Sequence, residues 1–176
     1  ELNFLKSQIN PHFVFNSLNS VYFLIDKNNT AARESLHKFS DRLRYQLYEM
    51  NGDKIPVEKE IQYLKDYMDL QQLRKDEKYS VEFNCAADVK GFSIEPLLLI
   101  PFVENAFKHG ASKMLQHPWI KLIITIEDSQ LIFNLTNSKP LTSQAANGKN
   151  GLGLKNVRRR LQLLYPTTHS LVINSL

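Results

Sequence analysis

Hydrophobic positions recur at helical spacing through the first third of the chain. Leu2, Leu5, Ile9 and His12 follow a 3-4-3 spacing, and Val14, Leu18, Val21 and Ile25 follow 4-3-4. The two stripes predict one helix that Pro11, lacking an amide hydrogen, should kink. Asp26-Lys27-Asn28-Asn29-Thr30 predicts a short break with Thr30 as the next N-cap. A second helix then runs to about Met50 through Leu36, Phe39, Leu43 and Leu47. Two amphipathic helices joined by a short loop form an antiparallel hairpin. Such a hairpin buries too little surface alone, so a dimeric four-helix bundle is expected.

Asn51-Gly52-Asp53-Lys54-Ile55-Pro56 concentrates turn formers and marks a boundary, dividing the chain into residues 1–52 and 53–176. Beyond it, Val57, Ile61, Leu64 and Met68 predict a third helix over residues 57–77. Val81, Phe83 and Cys85 alternate as in a strand, which makes Cys85 a core residue. Pro96 to Ser112 reads as a helix with an apolar start. Ile120–Glu127 and Leu131–Asn137 read as β-branched strands joined by Asp128-Ser129. Residues 138–150 are polar and turn-rich, a loop long enough to be functional or mobile. A last helix spans Gly151 to Tyr165, with Leu154, Val157, Leu161 and Leu164 as its buried stripe. Leu171 to Ile173 starts a final strand that the end of the chain cuts short. Helices alternating with hairpin-like strands make the fold α+β, a layer of helices on one sheet.

Composition narrows the class without choosing the function. The chain has 176 residues, 43% of them hydrophobic and 23% charged, enough for a real core. One cysteine excludes an intramolecular disulfide framework and a thiolate zinc cluster. The longest nearly apolar run, Leu97 to Val103, is far short of a membrane span. Residues 1–80 carry 12 basic and 12 acidic groups, whereas residues 81–176 carry 10 and 6, so the net charge of +4 lies in the second half. A bias of this size suits a nucleic acid or a small polyanion such as a nucleotide phosphate tail.

Three segments carry chemistry. On a helix, Glu104, Asn105, Lys108 and His109 gather on one side, and Leu99, Val103, Ala106 and Phe107 on the other. Asn105 is a mediocre helix former, but its neutral oxygen suits Mg²⁺. A solvated face is the plain alternative. Asn150-Gly151-Leu152-Gly153-Leu154-Lys155-Asn156 places two glycines at a helix start, where free amide hydrogens suit a phosphate. The Gly-x4-Gly-Lys-Ser/Thr pattern of Walker ATPases is absent. Finally, His12 stands one turn before Asn16 on one helix face, an imidazole that can serve as a nucleophile or simply pack.

The combination of Asn-Pro-His-Phe-x-Phe-Asn, Glu-Asn-Ala-x-Lys-His-Gly and Gly-x-Gly-Leu-x-Asn-x-Arg-x-Arg-Leu resembles the LytS-type sensor histidine kinases, over nearly the whole chain. The resemblance implies dimerisation and phosphoacceptor helices followed by a GHKL-type α/β sandwich that binds ATP and Mg²⁺. It maps the phosphoacceptor to His12 and the N box to Glu104, Asn105, Lys108 and His109, with Asn105 on Mg²⁺. The second G box maps to Gly151, Gly153 and Leu154, with Asn156, Arg158 and Arg160 following. Asn137 stands where an acidic adenine reader is usual. Phe13 follows His12 where many relatives have an acidic base, leaving Glu104 as the candidate carboxylate. Asn16 is a candidate for positioning water in a phosphatase reaction. A homodimer and a response-regulator partner are implied, as is a cytoplasmic location within an inner-membrane sensor anchored through a preceding region. The alternative is an inactive nucleotide-binding dimerisation module. A nucleic-acid site at Arg158, Arg159 and Arg160 is disfavoured, because no aromatics are interleaved with the basic residues.

Overall fold

Thr30 opens a helix but does not cap it. In the computed structural model, which describes residues 11–48, 54–74, 79–110, 117–138 and 152–174, α1 spans Pro11–Leu24 and α2 spans Thr30–Tyr48. The side chain of Asn29 accepts from the amide of Ala32 at 3.1 Å, and its carbonyl accepts from the amide of Arg33. Asn29, rather than Thr30, is therefore the N-cap, because an amide oxygen one position earlier reaches the third helical N–H. Asp26 prepares the approach by accepting from the amide of Asn28 at 2.8 Å. The Arg33 guanidinium stacks on Tyr22, 4.4 Å from the ring centroid, and Arg44 lies over Phe15 at 5.3 Å. A contact near the connection and a second one farther along both helices is the signature of an antiparallel pair. The expected kink before Pro11 involves residues 1–10, which lie outside the described residues.

The chain divides into two compact units, Glu1–Asp53 and Lys54–Leu176. Among residues 14–45 of the first unit no side chain is buried. Val21, Phe23, Leu24 and Phe39 are exposed, Phe23 to 79% and Leu24 to 84%. Among the described residues no helix is long and apolar enough to cross a membrane.

The second unit is α+β. Its elements are β1 (Ile55–Pro56), α3 (Val57–Arg74), β2 (Ser80–Cys85), β3 (Ser93–Ile94), α4 (Ile100–Gly110), β4 (Trp119–Glu127), β5 (Gln130–Asn137) and α5 (Leu152–Leu164). Strand order is β2-β4-β5, with β2 parallel and β5 antiparallel to β4. The short β1 pairs with β3 apart from that sheet. Asp128 and Ser129 both adopt positive φ, 49° and 62°, which identifies the type I′ turn that joins β4 to β5 with matching twist. The core lies between the sheet and the helices, where Val57, Leu64, Met68, Val103, Ile120, Leu122, Ile124 and Val157 are essentially inaccessible. Phe107 is the hub of its aromatic part, meeting Tyr67 and Tyr79 edge-on at 5.6 and 5.9 Å.

Several boundaries differ from the pattern-based reading. The helix expected from Pro96 starts only at Ile100, because Leu97 takes a left-handed φ of 55° that no α-helix accommodates. Pro101 then falls in the first turn, where its missing N–H costs no hydrogen bond. Residues 75–77 and 111–112, the ends given to two helices, lie outside the described residues. Cys85 is exposed, since it closes β2 at the end of the sheet. Partial burial and then the Asp88 carboxylate push its thiol pKa up, opposite to what a reactive thiolate needs. Leu164 is exposed at the end of α5, and residues 171–173 are not a strand, since no strand among the described residues pairs with them.

Candidate functional site

Helix α4 presents the two faces its sequence specifies. Val103, Ala106, Phe107 and Gly110 are buried, Glu104 and Lys108 are exposed, and Asn105 and His109 sit half-buried between them. Burial and then the Lys108 ammonium lower the His109 pKa, so its imidazole is neutral at pH 7. A neutral amide, a neutral imidazole, a carboxylate and an ammonium therefore share one helix side.

The C-terminal end of α4 is locked to the end of β5. A Cβ on Gly110 would stand 2.7 Å from Cβ of Asn137 and 2.9 Å from its Nδ2, so only glycine lets Asn137 lie this close. The Asn137 amide donates to the Ser138 carbonyl at 2.8 Å. The Ser138 hydroxyl accepts from the Trp119 amide at 2.9 Å and donates toward the Gly110 carbonyl at 2.8 Å. Ser138 thus satisfies a carbonyl in the last turn of α4 and fixes the strand end beside it. This brings Asn137 to the helix that carries Asn105, Lys108 and His109.

The N-terminal end is held by residues that hydrophobic periodicity did not single out as polar sites. Glu60 of α3 is completely buried, and its two oxygens accept from the amides of Leu97 and Leu99 at 2.9 and 3.0 Å. Arg160 of α5 forks onto the carbonyls of Leu97 and Pro96, both at 3.0 Å. The Tyr165 hydroxyl accepts from the Glu95 amide at 3.0 Å, and the Lys54 ammonium lies over the Tyr165 ring. These contacts hold Leu97 in a conformation that costs a non-glycine residue about 1–2 kcal/mol. In the sequence Glu60 shares the helical spacing of Val57, Leu64 and Met68, but nothing local names the amides it serves.

Asn156, Arg158 and Arg159 are exposed on α5, whereas Arg160 turns inward to the carbonyls it bridges. The three arginines therefore do not form one basic patch. Leu154 is half-buried, and Gly153 lies in the first turn of α5. Gly151 and residues 139–150, the expected lid, lie outside the described residues. His12 lies in the first turn of α1 with its side chain outside the description, and Asn16 is exposed one turn on. Among the described residues no cluster of three or more His, Cys, Asp or Glu could hold a metal by itself. The neutral oxygen of Asn105 fits a different arrangement, in which Mg²⁺ arrives with phosphates and takes only one or two protein ligands.

A family model described as "Histidine kinase" matches residues 1–79, a stretch that includes His12, Asn16 and Glu60. The chain is 30% identical to "Sensor protein LytS" of Staphylococcus saprophyticus over 99% of its own length and 32% of that protein's. Over nearly its whole length the chain is thus similar to LytS-type sensor histidine kinases. "Sensor histidine kinase YpdA" of Escherichia coli strain K12 is 32% identical, covering 94% of this chain and 30% of its own. "Sensor protein LytS" of Enterococcus faecalis is 27% identical over 100% of this chain and 32% of its own. The chain thus spans about a third of the length of these curated relatives.

Proposed function

We propose that the chain is a kinase core that phosphorylates its own His12 from Mg²⁺-ATP and passes the phosphoryl group to an aspartate of a response regulator. The observation that carries this reading is the polar face of α4 joined at its end by Asn137. In this reading residues 53–176 are a GHKL-type ATP-binding domain, and α1 and α2 are phosphoacceptor helices that dimerise as a four-helix bundle. Asn105 holds Mg²⁺, Lys108 and His109 line the phosphates, and Asn137 reads the base. Gly151, Gly153 and Leu154 let backbone approach the phosphate tail. Bound Mg²⁺ would neutralise phosphate charge.

An imidazole nitrogen of His12, from the same chain or its dimer partner, attacks the γ-phosphorus. A P–N bond forms as the P–O bond to ADP breaks, and the imidazole proton passes to a base, for which Glu104 is the candidate. Positioning and charge neutralisation supply most of the acceleration. Asn16, one turn beyond His12, would orient a water against the phosphoryl group of a docked regulator in a hydrolytic, phosphatase reaction.

Incubation with γ-labelled ATP and Mg²⁺ tests the reading. The full chain should acquire acid-labile label. His12→Gln should lose it while still binding ATP, and Asn105→Ala should lose both label and Mg²⁺-dependent binding with folding retained. ATP binding without label in the full chain would support an inactive binding module instead. Acid-labile label persisting in His12→Gln would move the acceptor elsewhere, first to His37, whose Nδ1 pairs with Asp41 at 2.9 Å on α2.

A further inference from the structure

We infer that Glu60 and Arg160 are positioning residues of the nucleotide site, clamping the left-handed turn at Leu97 so that α4 and α5 keep one fixed spacing. The inference rests on the nucleotide reading above and adds two residues that touch no ligand in it. In the turn just before α4, Glu60 takes the amides of Leu97 and Leu99, and Arg160 takes the carbonyls of Pro96 and Leu97. The carboxylate comes from α3, 37 and 39 residues earlier in the chain, and the guanidinium from α5, 63 and 64 residues later. Three helices thus meet on one turn.

The geometry gives the clamp leverage. Asn105 lies five residues beyond the first residue of α4, roughly 7.5 Å along its axis at about 1.5 Å per residue. Gly153 lies seven residues before Arg160 on α5, about two turns away. A helix is stiff over such distances, so a shift at the clamp moves Asn105 relative to the start of α5. Ligand placement tolerates only about 0.5 Å of such movement. Leu97 supplies the reason a clamp is needed, since without it a leucine leaves the left-handed region.

The test compares ATP affinity in Mg²⁺ with ATP affinity in EDTA, in the full chain and its variants. Arg160→Lys keeps the charge but loses the fork, and Glu60→Gln keeps the shape but turns one acceptor into a donor. Each should remain folded by circular dichroism and lose about tenfold of the Mg²⁺-dependent gain in affinity, the scale on which supporting contacts of a metal ligand act. Binding in EDTA should change little. Adding Leu97→Gly to Arg160→Lys should recover most of the loss, because glycine holds positive φ unaided. Folded variants with the unaltered Mg²⁺/EDTA affinity ratio would overturn the inference. So would losses that track the unfolded fraction and ignore Leu97→Gly. Failure of the unaltered chain to bind ATP would instead sink the nucleotide reading, and the inference with it.

Discussion

Gly110 shows how one missing methyl group sets a site. Its carbonyl is bound by Ser138 and its α-carbon faces Asn137, so the helix end and strand end close without a gap. Alanine is the better helix former by about 1 kcal/mol, which taken alone predicts that Gly110→Ala stabilises. The added carbon would meet Cβ of Asn137 at 2.7 Å, close to backbone that cannot swing aside. Overpacking of this kind costs about 1–3 kcal/mol, so the clash should win. Gly110→Ala should lower the urea midpoint at unchanged m and weaken nucleotide binding through the displaced Asn137. A raised midpoint would mean that β5 yields without penalty. At this scale the residue types of the α4 face could be read directly, because 3.6-residue periodicity separates Val103, Ala106 and Phe107 from Glu104, Asn105, Lys108 and His109. The fit between Gly110 and Asn137 could not be read, since it joins two residues that only the sheet brings together.

Among the elements, α2 isolates the value of a cap. Asn29 and Thr30 are both good N-cap types, and sequence preference alone does not separate them. The structure does, because the Asn29 side chain reaches the amide of Ala32. Asn29→Ala should therefore cost about 1 kcal/mol of stability, and Thr30→Ala much less. Thermal unfolding followed at 222 nm compares the two, and equal losses would return the cap to shared or alternative geometry. The strands teach the same distinction. β4 and β5 were visible as β-branched runs around Asp128-Ser129, and they pair across that two-residue turn. Alternation through Val81, Phe83 and Cys85 also gave a real strand, yet it does not say how far cover extends along it, and Cys85 ends exposed. Leu171 to Ile173 has the composition of a strand but no partner strand among the described residues, and composition alone does not make a ladder.

For the molecule as a whole, the division at Asp53 and Lys54 separates a unit with an extensive core from one whose described side chains are all at least partly exposed. Exposed Phe23 and Leu24 give the first unit an apolar surface that self-association would cover. Residues 54–176 alone should therefore fold, stay monomeric and bind ATP, whereas the full chain should sediment as a dimer. Equal self-association of the two would assign the interface to the second unit. Local periodicity and residue type were sufficient for the helices, the β4–β5 pair, the two faces of α4 and the resemblance carried by the motifs at His12, Asn105 and Gly151, because each is written within a few consecutive turns or strand repeats. Tertiary structure alone decided that Glu60 is a buried acceptor, that Arg160 faces inward, that Leu97 is left-handed and that Asn137 lies on Gly110. Those facts depend on hydrogen-bonding groups dozens of residues apart finding one another, and no local period encodes which buried amide or carbonyl will need a partner.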